Sequence, residues 1–101
     1  MAAAYLLADL EVTNAAGFEE YRAQVPAVIA AHGGRYLVRG GPCEVLEGGG
    51  PARRRVVLEF PSMERLKAFW DSPEYVVLRE LRGRHSHANI VCVEGVPAPT
   101  A

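Results

Sequence analysis

The chain is poor in the residues that usually announce a chemistry. It has two cysteines, Cys43 and Cys92, and neither belongs to a C-x-x-C pair or a zinc-type spacing. Each is expected to be a small buried hydrophobe on a strand. An excess of one charge is also lacking, since 11 Lys and Arg face 12 Asp and Glu for a net charge of −1. That balance leaves no global field to attract nucleic acid or an anionic membrane. No apolar run reaches spanning length: Met1 to Leu7 has no basic leader, and Asp9 and Glu11 interrupt the run soon after Leu7. A soluble, cytoplasmic protein is expected, with neither nucleic acid nor membrane as a partner. The sequence contains no G-x-x-x-x-G-K-[ST] phosphate loop, G-x-G-x-x-G turn, G-x-S-x-G elbow or C-x-x-C-H haem site. Nothing in it requires a cofactor.

What is present is a core. Half of the 101 residues are apolar and 23% are charged, which argues for a folded chain rather than disorder. One domain over residues 1–96 is expected, with a flexible tail at 97–101 containing Pro97 and Pro99.

Periodicity orders the elements. Tyr5 to Val12 reads as a strand. Thr13 and Asn14 are cap residues before a helix over about residues 15–32, whose apolar face carries Phe18, Tyr21, Val25, Val28 and Ile29. Pro26 should kink or break it, and Gly33 and Gly34 should end it. Arg35 to Arg39 and Glu44 to Leu46 look like one long strand bent at Gly40, Gly41 and Pro42. Arg55 to Phe60 is the returning strand. Ser62 caps a short helix bearing Met63, Leu66, Phe69 and Trp70. Ser72 and Pro73 start another, which Gly83 should end. Asn89 to Glu94 is the last strand. This β-α-β-β-α-β order predicts an α+β, ferredoxin-like protomer, a four-stranded antiparallel sheet with its helices on one face.

The other face is then the question. A face in water should be polar at alternate positions. Instead Tyr5 and Leu7 share one parity of the first strand, Val57 lies beside Glu59 on the third, and Val91 and Val93 share a parity of the last. So much open apolar area predicts that two copies pack sheet to sheet, most simply as a twofold homodimer.

Several blocks carry a resemblance. The segments Ala4 to Val12, His32 to Pro42 (HGGRYLVRGGP), Val56 to Ser62 (VVLEFPS), Trp70 to Tyr75 (WDSPEY) and Val91 to Gly95 together resemble the domain-of-unknown-function 1330 family of the dimeric α+β barrel superfamily. The resemblance implies a ferredoxin-like protomer whose sheet packs on that of its twin. It implies no agreed activity, because related barrels include cofactor-independent monooxygenases, isomerases and ligand-sensing domains.

Candidate site residues are those whose chemistry stands out from an apolar background. Asp9 and Glu59 lie on strands expected to be neighbours, and Arg39 comes from the adjoining arm. Together they suit either a polar ligand or a plain ion pair. His32 fits an acid or base near Tyr36 and Arg39, and equally a cap on the last carbonyls of the first helix. Trp70, Ser72 and Tyr75 flank a helix break and fit a cleft wall, although Ser72 also serves as a cap and aromatic residues at helical spacing usually belong to a core. His85 and His87 lack further metal ligands nearby, so no metal site is expected. Arg53, Arg54 and Arg55 read as a solvated charge run in a loop. The expected function is small-molecule binding in a cleft lined by Asp9, His32, Arg39, Glu59, Trp70 and Tyr75. A cofactor-free reaction there would use His32 or Glu59 as base and Arg39 to stabilise an anion. The alternatives are a non-catalytic ligand-binding or regulatory dimer and a purely structural module.

Overall fold

Strand β1, Ala4–Val12, alternates buried and open side chains along its length, the period of two that a half-covered sheet imposes. In the computed structural model, which describes residues 2–97, it is followed by helix α1 (Ala15–Ala31) and strands β2 (Arg35–Arg39) and β3 (Arg54–Phe60). Helices α2 (Met63–Trp70) and α3 (Pro73–His85) and strand β4 (Ser86–Glu94) complete the order. The strands form one antiparallel sheet, β2-β3-β1-β4. This is the ferredoxin-like arrangement expected from the sequence, with its second helix divided in two. No helix among the described residues is long and apolar enough to cross a membrane.

Local chemistry explains the boundaries. The Asn14 side chain accepts from the Gly17 amide at 3.1 Å, and Ser62 accepts from that of Arg65 at 3.1 Å. The Ser72 hydroxyl accepts from the Tyr75 amide at 3.2 Å and donates to the Phe69 carbonyl at 2.8 Å, so one residue closes α2 and opens α3. Such caps satisfy amides that have no partner inside the helix. Gly33 follows α1 at φ 79°, a conformation that glycine adopts without strain.

Four expectations are corrected. Helix α1 is not broken into two segments at Pro26 but runs on through it. Proline leaves the carbonyl four residues back without its usual donor, and the Arg39 guanidinium donates to that carbonyl, on Arg22, at 3.1 Å. Strand β2 stops at Arg39, and its irregularity against β3 falls between Tyr36 and Val38 rather than at the glycines; residues 41–53 form no strand. Helix α3 passes through Gly83 to His85 because its end is satisfied elsewhere. The Ser86 hydroxyl donates to the Arg82 carbonyl at 2.7 Å, and the His85 carbonyl accepts from the amides of Thr13 and Asn14 at 2.8 and 3.2 Å. His85 is therefore helical, with its ring against Gly17, while His87 already lies on β4. Finally, both cysteines are exposed: Cys43 lies in the irregular segment and Cys92 on the edge strand β4.

The core lies between helices and sheet. Ala4, Leu6, Ala8 and Leu10 of β1 and Leu58 and Phe60 of β3 meet Phe18, Val25 and Ile29 of α1, Leu66 and Phe69 of α2, and Tyr75 and Leu78 of α3. Phe60, Phe69 and Leu66 are the largest fully buried side chains, each contributing about 1.5–3 kcal/mol by leaving water. An aromatic series runs through this layer, with ring centroids 5.1 Å apart for Phe60 and Phe69 and 4.3 Å for Phe69 and Tyr75.

The opposite face is bare of helices. Strand register aligns Val38 with Val57, Val57 with Leu7, and Leu7 with Val91, an apolar row across all four strands. Leu7, Val38 and Val91 are 37%, 41% and 50% exposed in the single protomer, values that mark this row as open surface. Rows of charge flank it. Glu59 accepts from Arg35 at 2.8 Å and from the Tyr5 hydroxyl at 3.0 Å, and Asp9 pairs with Arg55 at 2.6 Å.

Candidate functional site

A cavity of about 40 Å³ opens between α1, α3 and the helix-facing side of the sheet. Its walls are mainly apolar, built from residues such as Leu6, Leu10, Val25 and Leu58. Its polar groups are of only two kinds, tyrosine hydroxyls from Tyr21, Tyr36 and Tyr75 and guanidinium groups from Arg22, Arg39, Arg54 and Arg82.

Each of these groups is held by a local feature. Tyr21 lies on the buried side of α1 and Tyr75 in the first turn of α3, and their oxygens are 2.9 Å apart. Arg82, two turns after Tyr75 on α3, donates to the Tyr75 oxygen at 3.3 Å and keeps only 9% of its surface exposed. The Trp70 ring packs at a tilt against Tyr75 with centroids 5.5 Å apart, and has the Arg79 guanidinium 4.6 Å and that of Arg82 5.9 Å from its centre. Arg54 leaves β3 toward Phe18, 5.6 Å from its ring. Gly40, at φ 69°, approaches Arg54 so closely that a Cβ there would stand 2.7 Å from the guanidinium carbon. Arg39 lies over the Tyr36 ring at 4.5 Å.

The electrostatics are one-sided. Among the described residues, Arg39, Arg54 and Arg82 have no carboxylate within 4.0 Å, whereas Arg22 has Glu19 at 3.6 Å. The Nε atoms of Arg22, Arg54 and Arg82 are buried without an acceptor, a costly state for a charged donor. Burial, reinforced by Tyr75, pushes the Tyr21 hydroxyl far above the ordinary tyrosine range. Burial also raises Tyr36, against the lowering effect of Arg39. Both hydroxyls are therefore neutral at physiological pH and able to donate or accept.

Of the residues singled out in the sequence, Arg39, Tyr36 and Tyr75 come together here. The others do not line the cavity, which corrects the expected cleft. Asp9 and Glu59 lie on the open side of the sheet in their own ion pairs. Their β1 and β3 parity is opposite to that of Leu6 and Leu58, so they cannot share the cavity without a register slip. There Arg35, and next Tyr5, hold the Glu59 carboxyl below its ordinary range, while the same contact raises the Tyr5 hydroxyl. His32 is the cap residue of α1, its Nδ1 3.0 Å from the Val28 carbonyl and its ring 5.9 Å from that of Phe69. Ser72 is buried with its hydroxyl committed to its two capping bonds. Trp70 instead faces a shallower groove of about 360 Å³ with Lys67, Asp71 and Cys92.

Four lining residues are not among the candidates that the sequence singles out: Tyr21, Arg22, Arg54 and Arg82. Two left a signal. Arg82 occupies an apolar-face position of α3 in the series Tyr75, Leu78, Arg82, and Arg54 shares the parity of Val56, Leu58 and Phe60. A charge placed in a buried stripe is the informative kind of exception. Arg54 and Arg55 are strand residues, and the loop reading of that run is corrected.

Fold and cavity together define a ferredoxin-like α+β protein with a small arginine- and tyrosine-lined chamber between its layers. The family model of a domain of unknown function, DUF1330, matches residues 3–96, and the chain belongs to that family. No curated protein matches it. Among solved structures, it is similar to RPA0582, a protein of unknown function from Rhodopseudomonas palustris, at 14% identity and a TM-score of 0.76 over 96% of this chain and 85% of that one. It is also similar to SnoaB, a cofactor-independent oxygenase from Streptomyces nogalater, at 13% identity and a TM-score of 0.66 over 97% of each chain. A dimeric ferredoxin-like protein of unknown function from Thermobifida fusca aligns at 11% identity and a TM-score of 0.53 over 92% of this chain and 91% of that one. At these identities the likeness is one of fold.

Proposed function

We propose that this chain is a small-molecule-binding protein that acts as a homodimer and takes its ligand in the chamber between helices and sheet. The carrying observation is the composition of that chamber, apolar walls with a few convergent polar groups, which is the usual build of a ligand site. Its lining contains no carboxylate or imidazole among the described residues, the side chains that most often take a proton from a ligand. That favours binding over the proton-transfer chemistry first expected of His32 or Glu59. The dimer reading rests on the apolar row Val38, Val57, Leu7 and Val91, which no helix covers, and is supported by the dimeric Thermobifida fusca neighbour.

A nuclear magnetic resonance titration with compact organic compounds tests the site. Shifts are expected at Leu6, Tyr21 and Tyr75, and an Ala8→Leu variant, which fills the chamber from β1, should lose them. Shifts confined to the outer groove at Lys67 and Asp71 would overturn the assignment. A second reading, turnover of the bound compound with dioxygen, is supported by the likeness to SnoaB. Oxygen uptake dependent on the ligand would establish it.

A further inference from the structure

We infer that the chamber selects an anion, specifically a short-chain carboxylate whose hydrocarbon end rests on the sheet. The inference deepens the proposed ligand site and rests on it. Arg54 and Arg82 line one small cavity, and among the described residues neither has a carboxylate partner and the Nε of each is buried with no acceptor. The Nε of Arg22 is in the same state. Charged N–H groups buried without an acceptor are unfavourable, most of all on Arg82, which is itself buried, and cations gathered around one void repel each other as well. A carboxylate supplies what is missing: two oxygens with about four acceptor positions and one negative charge, in a geometry that suits guanidinium forks. The Tyr21 and Tyr75 hydroxyls, hydrogen-bonded to each other, leave one further O–H to donate to such an anion.

Size and wall chemistry narrow the class. A void needs roughly 10–15 Å³ per water-sized group, so about 40 Å³ holds some three or four such groups, the size of a carboxylate with a methyl end. The apolar remainder of the lining, Leu6, Leu10, Val25 and Leu58, offers nothing to a fully polar anion such as phosphate.

Calorimetric titration of the wild-type protein with acetate, acetamide and inorganic phosphate tests this. Acetate is expected to bind at least about tenfold more tightly than its neutral isostere acetamide, the scale of one charge-assisted hydrogen bond, and more tightly than phosphate. Arg82→Met and, independently, Arg54→Met should each bring acetate down to the affinity of acetamide, with folding checked by circular dichroism. Equal binding of acetate and acetamide would overturn the anion inference and leave the small-molecule reading intact. Phosphate binding as tightly as acetate would overturn the choice of a carboxylate with a hydrocarbon end. Failure of every probe, with no shift of chamber resonances for the wider compound set, would overturn the site itself.

Discussion

Arg54 and Arg55 are consecutive on β3 and end on opposite sides of one sheet. Arg55, on the open face, meets Asp9 at 2.6 Å; beside it Arg35 meets Glu59 at 2.8 Å. Arg54, on the helix-covered face, meets no carboxylate among the described residues and leaves its Nε without an acceptor, as Arg82 does. The two cations of the open face are paired, whereas Arg82, the most buried of the arginines compared, is not, the reverse of what stability alone would favour, since desolvated charge is the more expensive. Natural chains commonly give up stability where a site requires it. The contrast distinguishes two faces of the sheet, one apolar with compensated charge, which the proposed assembly would use, and one apolar with uncompensated charge, which the proposed ligand would use.

The strongest way to break this division is to disturb one face and watch the other. Leu7→Glu places a carboxylate in the middle of the apolar row and should weaken the proposed dimer by about 2–4 kcal/mol, as expected of a central contact. Sedimentation should then report a folded monomer, and an unchanged oligomeric state would remove the assembly role from this face. A smaller effect compares the arginines themselves. Arg55→Met should cost at most about 1 kcal/mol, the worth of a surface ion pair, whereas Arg82→Met should leave unliganded stability unchanged or raise it by about 1 kcal/mol, because an unpaired buried charge is replaced by an apolar chain of similar reach. Urea denaturation of both variants measures the sign. Loss of stability in Arg82→Met larger than in Arg55→Met would show that Arg82 is structural.

The smallest effect is one of pH. Arg35 and Tyr5 hold the folded Glu59 carboxyl below its ordinary 4.5, so the unfolded chain takes up that proton first as pH falls. The stabilisation is complete above the unfolded value and disappears as pH drops through the folded one. Urea midpoints followed from neutral pH down through the carboxylate range should show this decline, and Glu59→Gln should flatten it. An identical slope in Glu59→Gln would place the acid sensitivity elsewhere.

Much of the fold was legible because it is written in local patterns. Asn14, Ser62 and Ser72 cap the helices they precede, and the alternation in β1 separates its two faces. The misread boundaries share one physical reason, that a remote residue satisfied a local defect. Pro26 does not break α1 when Arg39 reaches the Arg22 carbonyl, and Gly83 does not end α3 when Ser86 and the start of α1 cap it. The candidate site was half legible. Tyr36, Arg39 and Tyr75 stood out as chemistry, while Arg54 was hidden in a run of three arginines and Arg82 in a helical stripe.

Hydropathy period, caps and turn residues are properties of neighbours along the chain, and from them the order of elements, the α+β class and the two-faced sheet follow from sequence alone. Which cations find carboxylates, and which are left around a void, depends on groups as far apart as Tyr21 and Tyr75, 54 positions, or Arg22 and Arg39, 17 positions. Only packing of α1 and α3 over the sheet decides those distances, because no local periodicity specifies which side chains meet across two layers.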